Sequence, residues 1–327
     1  MPDTPDLPDT PPFRAWWAGR PPAAGAAVLA TGIISVGLQL TGYETLSRIT
    51  LVLASLAWLG LAAEFAARLV RDRERWMRQA GTPAGLSAVA ATTVLGTRFS
   101  ALGWQGLAEA LLALSAVLWP VLLLTVVRHW RRRMAGGVFL ACVATQGLSV
   151  LGSTIATAVG TDWLAHAALV LFWLGIVLYG VSFAHFDPWE VKRGAGDHWV
   201  AGGALAISAL AGARLVAAHH GSPYLWNDDD QGVLRATTGA LLVLDLACYC
   251  VLLVTEAVWP RPRYDVLRWS TVFPMGMTAV STLSVAAALG VFRLKGPGQV
   301  LLWFAVAAWL AVAAGAALAV RSAKRTL

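Results

Sequence analysis

Ten apolar runs of roughly 20 residues fill the chain between residues 22 and 320. That is the length an α-helix needs to cross a bilayer. The runs fall at 22–42, 47–70, 84–103, 105–128, 136–160, 162–186, 197–218, 234–257, 268–291 and 298–320. In lipid every backbone polar group must be satisfied within its own segment, so such a chain folds as a helical membrane bundle. The sequence is 57% hydrophobic and 13% charged, whereas soluble domains average about 25% charged. The runs leave no stretch for a separate soluble domain. Acidic residues and prolines precede the first run, and further apolar runs follow it. It therefore reads as a spanning helix and not a cleaved signal peptide. Residues 1–20 are rich in Pro and Asp and lack periodicity, so they read as a disordered cytoplasmic tail. Residues 21–320 form the ten-helix domain, and 321–327 a short cytoplasmic tail.

Net charge is +7, which in a soluble chain would raise nucleic acid as a partner. Here the basic residues cluster in connections. Arg68, Arg71, Arg73, Arg75 and Arg78 follow the second run. Arg128, Arg131, Arg132 and Arg133 follow the fourth, Lys192 and Arg193 the sixth, Arg261, Arg263 and Arg268 the eighth, and Arg321, Lys324 and Arg325 the tenth. With Arg14 and Arg20 these are 19 of the 25 basic residues, all on one side if ten helices alternate in direction. The positive-inside rule then places both termini in the cytoplasm of a multi-pass plasma-membrane protein, with the bilayer and not nucleic acid as partner. Trp104, Trp130, Trp163, Trp189, Trp199, Trp226 and Trp259 lie near run ends, as in an interfacial belt. Cys142, Cys248 and Cys250 lie inside apolar runs without CxxC spacing and read as small packing residues.

Odd and even runs differ in kind. The odd runs together hold 37 Gly, Ser and Thr residues and the even runs 16. Even runs carry Leu, Val, Ala and Trp instead, as in Leu51-Val52-Leu53-Ala54-Ser55-Leu56-Ala57-Trp58. Small residues allow close approach or leave space, and large aliphatic ones suit lipid. The pattern predicts five helical hairpins, with five odd-numbered inner helices around a central pore and five even-numbered outer ones.

No Walker loop, no GxGxxG between a strand and a helix, no HExxH and no GxSxG elbow is present, so direct ATP-driven transport and the common hydrolases are set aside. An intramembrane enzyme would need ionisable groups clustered at one depth. The odd runs offer hydroxyls, one amide and glycines instead, and neither a catalytic residue, a cofactor nor a metal is assigned. Thr31, Gly32, Ser35, Thr92, Thr93, Thr145, Ser149 and Ser208 are the candidate lining there. Such groups can attend an anion without trapping it, which conduction requires. Arg98, Arg214 and Arg293 lie towards the outer ends and are candidates for a pore-mouth charge that gathers anions; snorkelling anchors fit the same residues. Asp245 lies deep in the eighth run, where a carboxylate costs at least about 2.5 kcal/mol and points to function. Proton coupling, a subunit contact and a pairing role are all open to it.

The ninth run holds the most particular motif, Trp269-Ser270-Thr271-Val272-Phe273-Pro274-Met275-Gly276-Met277. Pro274 has no N–H and crowds the carbonyl of Ser270, so the helix is interrupted there. Met277, Thr278, Ser281 and Ser284 continue from the break, Met277, Ser281 and Ser284 on roughly one side. A bulky ring above a small, hydroxyl-bearing stripe would plug a conduit. On these residues alone, a kinked helix with its ring in a core is the simpler reading.

The hairpin plan, Ala30-Thr31-Gly32-Ile33, Ala144-Thr145-Gln146 with Ser149-Val150-Leu151, Trp199 with Ala204 to Gly212, and Trp269 to Gly276 resemble the tellurite-resistance/dicarboxylate transporter family. It includes bacterial tellurite-resistance proteins, fungal malate permeases and sulfite exporters, and the slow anion channels of plant guard cells. The resemblance spans residues 20–320. It implies a central pore inside five helices, a homotrimer with one pore per subunit, and Phe273, next to Pro274, as the occluding gate. Family pore helices are often kinked by prolines; here the third, fifth and seventh have only glycines, such as Gly96, Gly147 and Gly203. The expected function is passage of small anions of the chloride, nitrate, C4-dicarboxylate, sulfite or tellurite class. The alternative is a proton-coupled carrier of dicarboxylate, sulfite or tellurite using Asp245.

Overall fold

The computed structural model describes residues 21–71, 81–221, 225–260 and 265–325. The predicted tail at 1–20, the basic residues Arg73, Arg75, Arg78, Arg261 and Arg263, and the last two residues lie outside these. The described residues are helical throughout, with a single isolated bridge between Met134 and Phe186.

Ten long helices follow one another: α1 (Pro21–Leu40), α2 (Glu44–Arg71), α3 (Leu86–Ala101), α4 (Gln105–Val127), α5 (Leu140–Val159), α6 (Asp162–His185), α7 (Val200–Gly221), α8 (Asp228–Val258), α9 (Trp269–Ala288) and α10 (Lys295–Arg325). Eight of the described helices are long and apolar enough to cross a membrane. The two that fall short have physical reasons. The apolar part of α1, Gly25–Leu40, is short. Helix α3 has 16 residues and spends several on Thr92, Thr93, Thr97 and Arg98. The even helices overrun their apolar stretches: α8 begins at Asp228 because Asn227 caps it, accepting the N–H of Asp230 at 2.8 Å. Three aspartates then occupy its first turn, where the helix dipole favours them.

Four of the odd helices turn tightly into the even helix that follows. Gly42, Gly103, Gly160 and Gly290 take φ between 74° and 87° at the ends of α1, α3, α5 and α9. A side chain there would be strained, and Gly is the residue that adopts this backbone readily. The successive pairs α1–α2, α3–α4, α5–α6, α7–α8 and α9–α10 pack together. The odd helices also pack on one another: α1 on α3, α3 on α5, α5 on α7, α7 on α9, and α9 back on α1.

Burial follows the small-residue pattern. The apolar spans built on α5, α7 and α9 are 94%, 83% and 89% buried, whereas those of the five even helices are 11% to 28% buried. Glycines set the odd contacts. A Cβ on Gly32 would stand 2.9 Å from Val94 Cγ1, and one on Gly276 would stand 2.8 Å from Ile33 Cγ2. Both are below any ordinary contact, so a larger residue would push α1 off α3 and α9 off α1. The even helices present large apolar side chains outward, such as Val52, Leu56, Val117, Val170, Val243 and Phe304. In water that surface would be an interaction patch; against hydrocarbon it is the ordinary exterior. Two of the tryptophans near run ends are covered by protein: Trp199 packs edge-on against Tyr249, and Trp226 lies against His166.

Candidate functional site

Two cavities lie along the odd helices. The wide one, about 550 Å³, is lined by the first turns of these helices and the segments leading into them: Ala26, Leu29, Ser87, Leu140, Val200, Ser270 and Phe273, with Pro83, Met134, Asp197 and Asp265. The narrow one, about 10 Å³, is lined further along the same helices by Ile33, Val36, Thr93, Thr97, Gly147, Val150, Ile207, Leu210, Arg214 and Met277, among others. No residue of an even helix lines either cavity. The narrow one has room for about one water-sized guest.

Phe273 stands at the inner limit of the wide cavity and is 1% exposed. Met277, one turn on, lines the narrow cavity. The two residues thus sit where the cavities approach each other. Three local features set the ring. Asp265 caps the turn before α9, its Oδ1 accepting the N–H of Leu267 at 2.8 Å, and so fixes where α9 starts. Pro274 lies inside α9 and leaves the carbonyl of Ser270 without its helical donor. Ser270 borders the wide cavity, and a freed carbonyl is tolerated where it lines a cavity or is buried in protein. Gly203 of α7 gives the ring its seat. A Cβ there would lie 3.0 Å from Phe273 Cε1 and 3.0 Å from Pro274 Cγ. Sequence reading noted Gly203 only as a glycine in place of a proline. A glycine one helix away has no sequence signal tying it to a particular ring.

The candidate hydroxyls separate into distinct settings. Thr31, Thr92 and Thr145 each accept an indole N–H from an even helix: Trp309 Nε1 to Thr31 at 3.0 Å, Trp58 Nε1 to Thr92 at 2.9 Å and Trp119 Nε1 to Thr145 at 2.9 Å. Each threonine passes its own proton to the carbonyl one turn back, on Ala27, Ala88 and Ala141. Ser35 donates to Ser47 O at 2.7 Å, on α2, and Ser149 to Ala168 O at 2.7 Å, on α6. Ser208 donates to Ala204 O at 2.7 Å, with Cys142 Sγ at 3.7 Å. Gly32 packs on Val94. Of the proposed hydroxyl lining, Thr93 borders the narrow cavity.

Thr278 and Ser281 meet Asp245. The carboxylate is fully buried on α8 and accepts from Thr278 Oγ1 at 3.0 Å and Ser281 Oγ at 3.3 Å. Both donors belong to α9, the helix that carries Phe273. Asp245 thus stands in the outer-to-inner role that Trp58, Trp119 and Trp309 fill elsewhere, accepting where they donate.

The three arginines differ sharply. Arg98 is 1% exposed, bonded to Glu44 Oε1 at 2.8 Å and Ser47 Oγ at 2.9 Å, both on α2. Arg293 is exposed in the short turn before α10. Arg214 lines the narrow cavity, and its buried Nε has no hydrogen-bond partner.

Eight apolar helices of spanning length among the described residues mark a multi-pass membrane protein, and two cavities lie along its odd helices. Residues 20–317 match the family model described as voltage-dependent anion channel, SLAC1. The chain belongs to that family, the one its sequence motifs resembled, and family membership makes it an anion channel or transporter. No curated protein matches the chain.

Proposed function

We propose that the chain passes small anions of the chloride, nitrate, C4-dicarboxylate, sulfite or tellurite class across the plasma membrane. The route runs inside a ring of five odd helices, enclosed by five even ones, and Phe273 occludes it. The observation that carries this reading is a pair of cavities at successive levels of the odd helices, neither lined by an even helix, with Phe273 bordering one and Met277 the other. The ring packs beside Pro274, in a helix that continues through the proline, and over a glycine, so it can swing aside without displacing another side chain at position 203. Asp265 at the wide cavity need not repel an anion strongly. Asp265 already accepts the backbone N–H of Leu267 at 2.8 Å. The positive-inside pattern supports cytoplasmic termini, which puts the wide cavity on the cytoplasmic side. A homotrimer follows from the family resemblance, and the apolar even helices suit either a neighbouring copy or lipid. The test is Phe273→Ala in planar bilayers under gradients of chloride, nitrate, malate and sulfite. Anion current should rise well above wild type; an unchanged current from folded protein refutes the plug.

A second reading has its own observation. Asp245 is a buried carboxylate bonded to the gate-bearing helix, which suits a proton-coupled carrier. Uptake driven by a pH gradient and abolished in Asp245→Asn would establish it over a passive channel. Uptake indifferent to the gradient would dismiss it.

A further inference from the structure

Resting on the conduction reading, we infer that Arg214 is an anion-coordination site in the outer half of the route, holding one small monovalent anion through its guanidinium alone. A cation inside an apolar bundle is costly and ordinarily finds a carboxylate or a set of carbonyls. Arg98 shows that solution in this chain, with Glu44 and Ser47 on its guanidinium. Arg214 lacks it: among the described residues nothing accepts from its Nε, and no ion pair to it is formed. It lies seven residues before the end of α7, about 10 Å from that end, and it lines a cavity instead. What the half-buried Arg214 lacks is an acceptor for its Nε, and the cavity beside it, about one water in size as it stands, is where an anion would sit once the route widens to admit it.

The cavity wall defines the guest. Its two hydroxyls are already committed: Thr93 donates to Ala90 O at 2.8 Å and Thr97 to Thr93 O at 2.9 Å. The remaining lining is aliphatic, apart from Met277 and Gly147. Arg214 is therefore the sole source of protons for hydrogen bonds. One positive charge in an apolar wall compensates one negative charge and little hydration. A dianion would keep half its charge unmatched and lose more water on the way in. A planar monovalent oxyanion can also take two parallel N–H bonds from the fork. The site so described favours a small monovalent anion such as nitrate over sulfate or a dicarboxylate.

Binding can be read without flux. The full chain in detergent is titrated with sodium nitrate, or with sodium sulfate, against sodium gluconate at constant ionic strength, and its unfolding temperature is followed. Wild type should show a saturable nitrate-dependent rise and no saturable response to sulfate. Arg214→Gln should lose the nitrate response. Arg214→Lys keeps the charge but not the fork and should weaken the apparent affinity about tenfold, the scale of one charge-assisted bond. A wild type without saturable response, or Arg214→Gln titrating like wild type, overturns the site. If Arg214→Gln does not fold, Arg214→Lys titrating like wild type does so. Conduction is judged separately by the Phe273→Ala current, so either result can fail while the other stands.

Discussion

Gly203→Ala is the sharpest probe of the gate, because it touches the ring without removing it. The new methyl carbon would arrive 3.0 Å from Phe273 Cε1 and 3.0 Å from Pro274 Cγ. Comfortable carbon contacts begin at about 3.5 Å, so each neighbour must retreat by about half an ångström or more. Pro274 is locked to the backbone of α9 and cannot yield locally. The phenyl ring can, by turning about its side-chain bonds. Overpacking of this kind costs about 1–3 kcal/mol. If the ring leaves Gly203 when the route opens, the share of that cost that comes from the ring falls on the closed state alone, while the share from Pro274 is common to both states and cancels. If about half the cost is the ring's, the open-to-closed ratio rises about 2- to 12-fold. Open probability in planar bilayers measures this directly, and a thermal melt checks that the protein is folded. The control is the same substitution in a Phe273→Ala background, where the ring is absent and the increment should vanish. Folded Gly203→Ala with wild-type open probability refutes the seat. So does an increment that persists in the double variant.

Three further outcomes follow from the packing. Glu44→Gln leaves Arg98, 1% exposed, with its charge unmatched beside Ser47, and should lower stability by about 1–3 kcal/mol, read as a drop in unfolding temperature that Ser47→Ala deepens. Trp119→Phe removes the N–H given to Thr145 at 2.9 Å and should cost about 1 kcal/mol in a melt without altering anion preference. Gly147→Val drives a branched side chain into Thr93 of α3 and should lower the yield of folded protein far more than Gly180→Val, whose Cβ meets nothing.

The helical plan was legible because membrane crossing imposes a length, and ten runs of that length stand out from the connections. The inner-outer division was legible for a related reason. A helix surrounded by protein can use glycine and serine on every side, whereas a lipid-facing one uses leucine and valine, and α5, α7 and α9 are indeed the most buried spans. That same all-round burial hid the facing of individual hydroxyls. Thr31 and Thr93 sit on helices with no exposed side, so no periodicity separates a threonine that meets an outer tryptophan from one that meets the cavity. The missed signal lay on the even helices. Trp58, Trp119 and Trp309 stand mid-run among aliphatic residues, away from the interface where tryptophan ordinarily resides. An indole there needs an acceptor, and the odd helix next door supplies it. Gly203 and Asp245 were each visible in the chain. Their partners Phe273, Thr278 and Ser281 come from distant segments that only folding brings together.

The unequal size of the two cavities has an electrical corollary. One compartment holds about 550 Å³ and the other about 10 Å³, so a bulky organic anion can lodge in the first and not in the second. Such a compound should obstruct current when applied to the face on which the wide cavity lies and do nothing from the opposite face. In symmetric salt, the current–voltage curve of an opened variant should bend, carrying ions more readily in one direction than in the other.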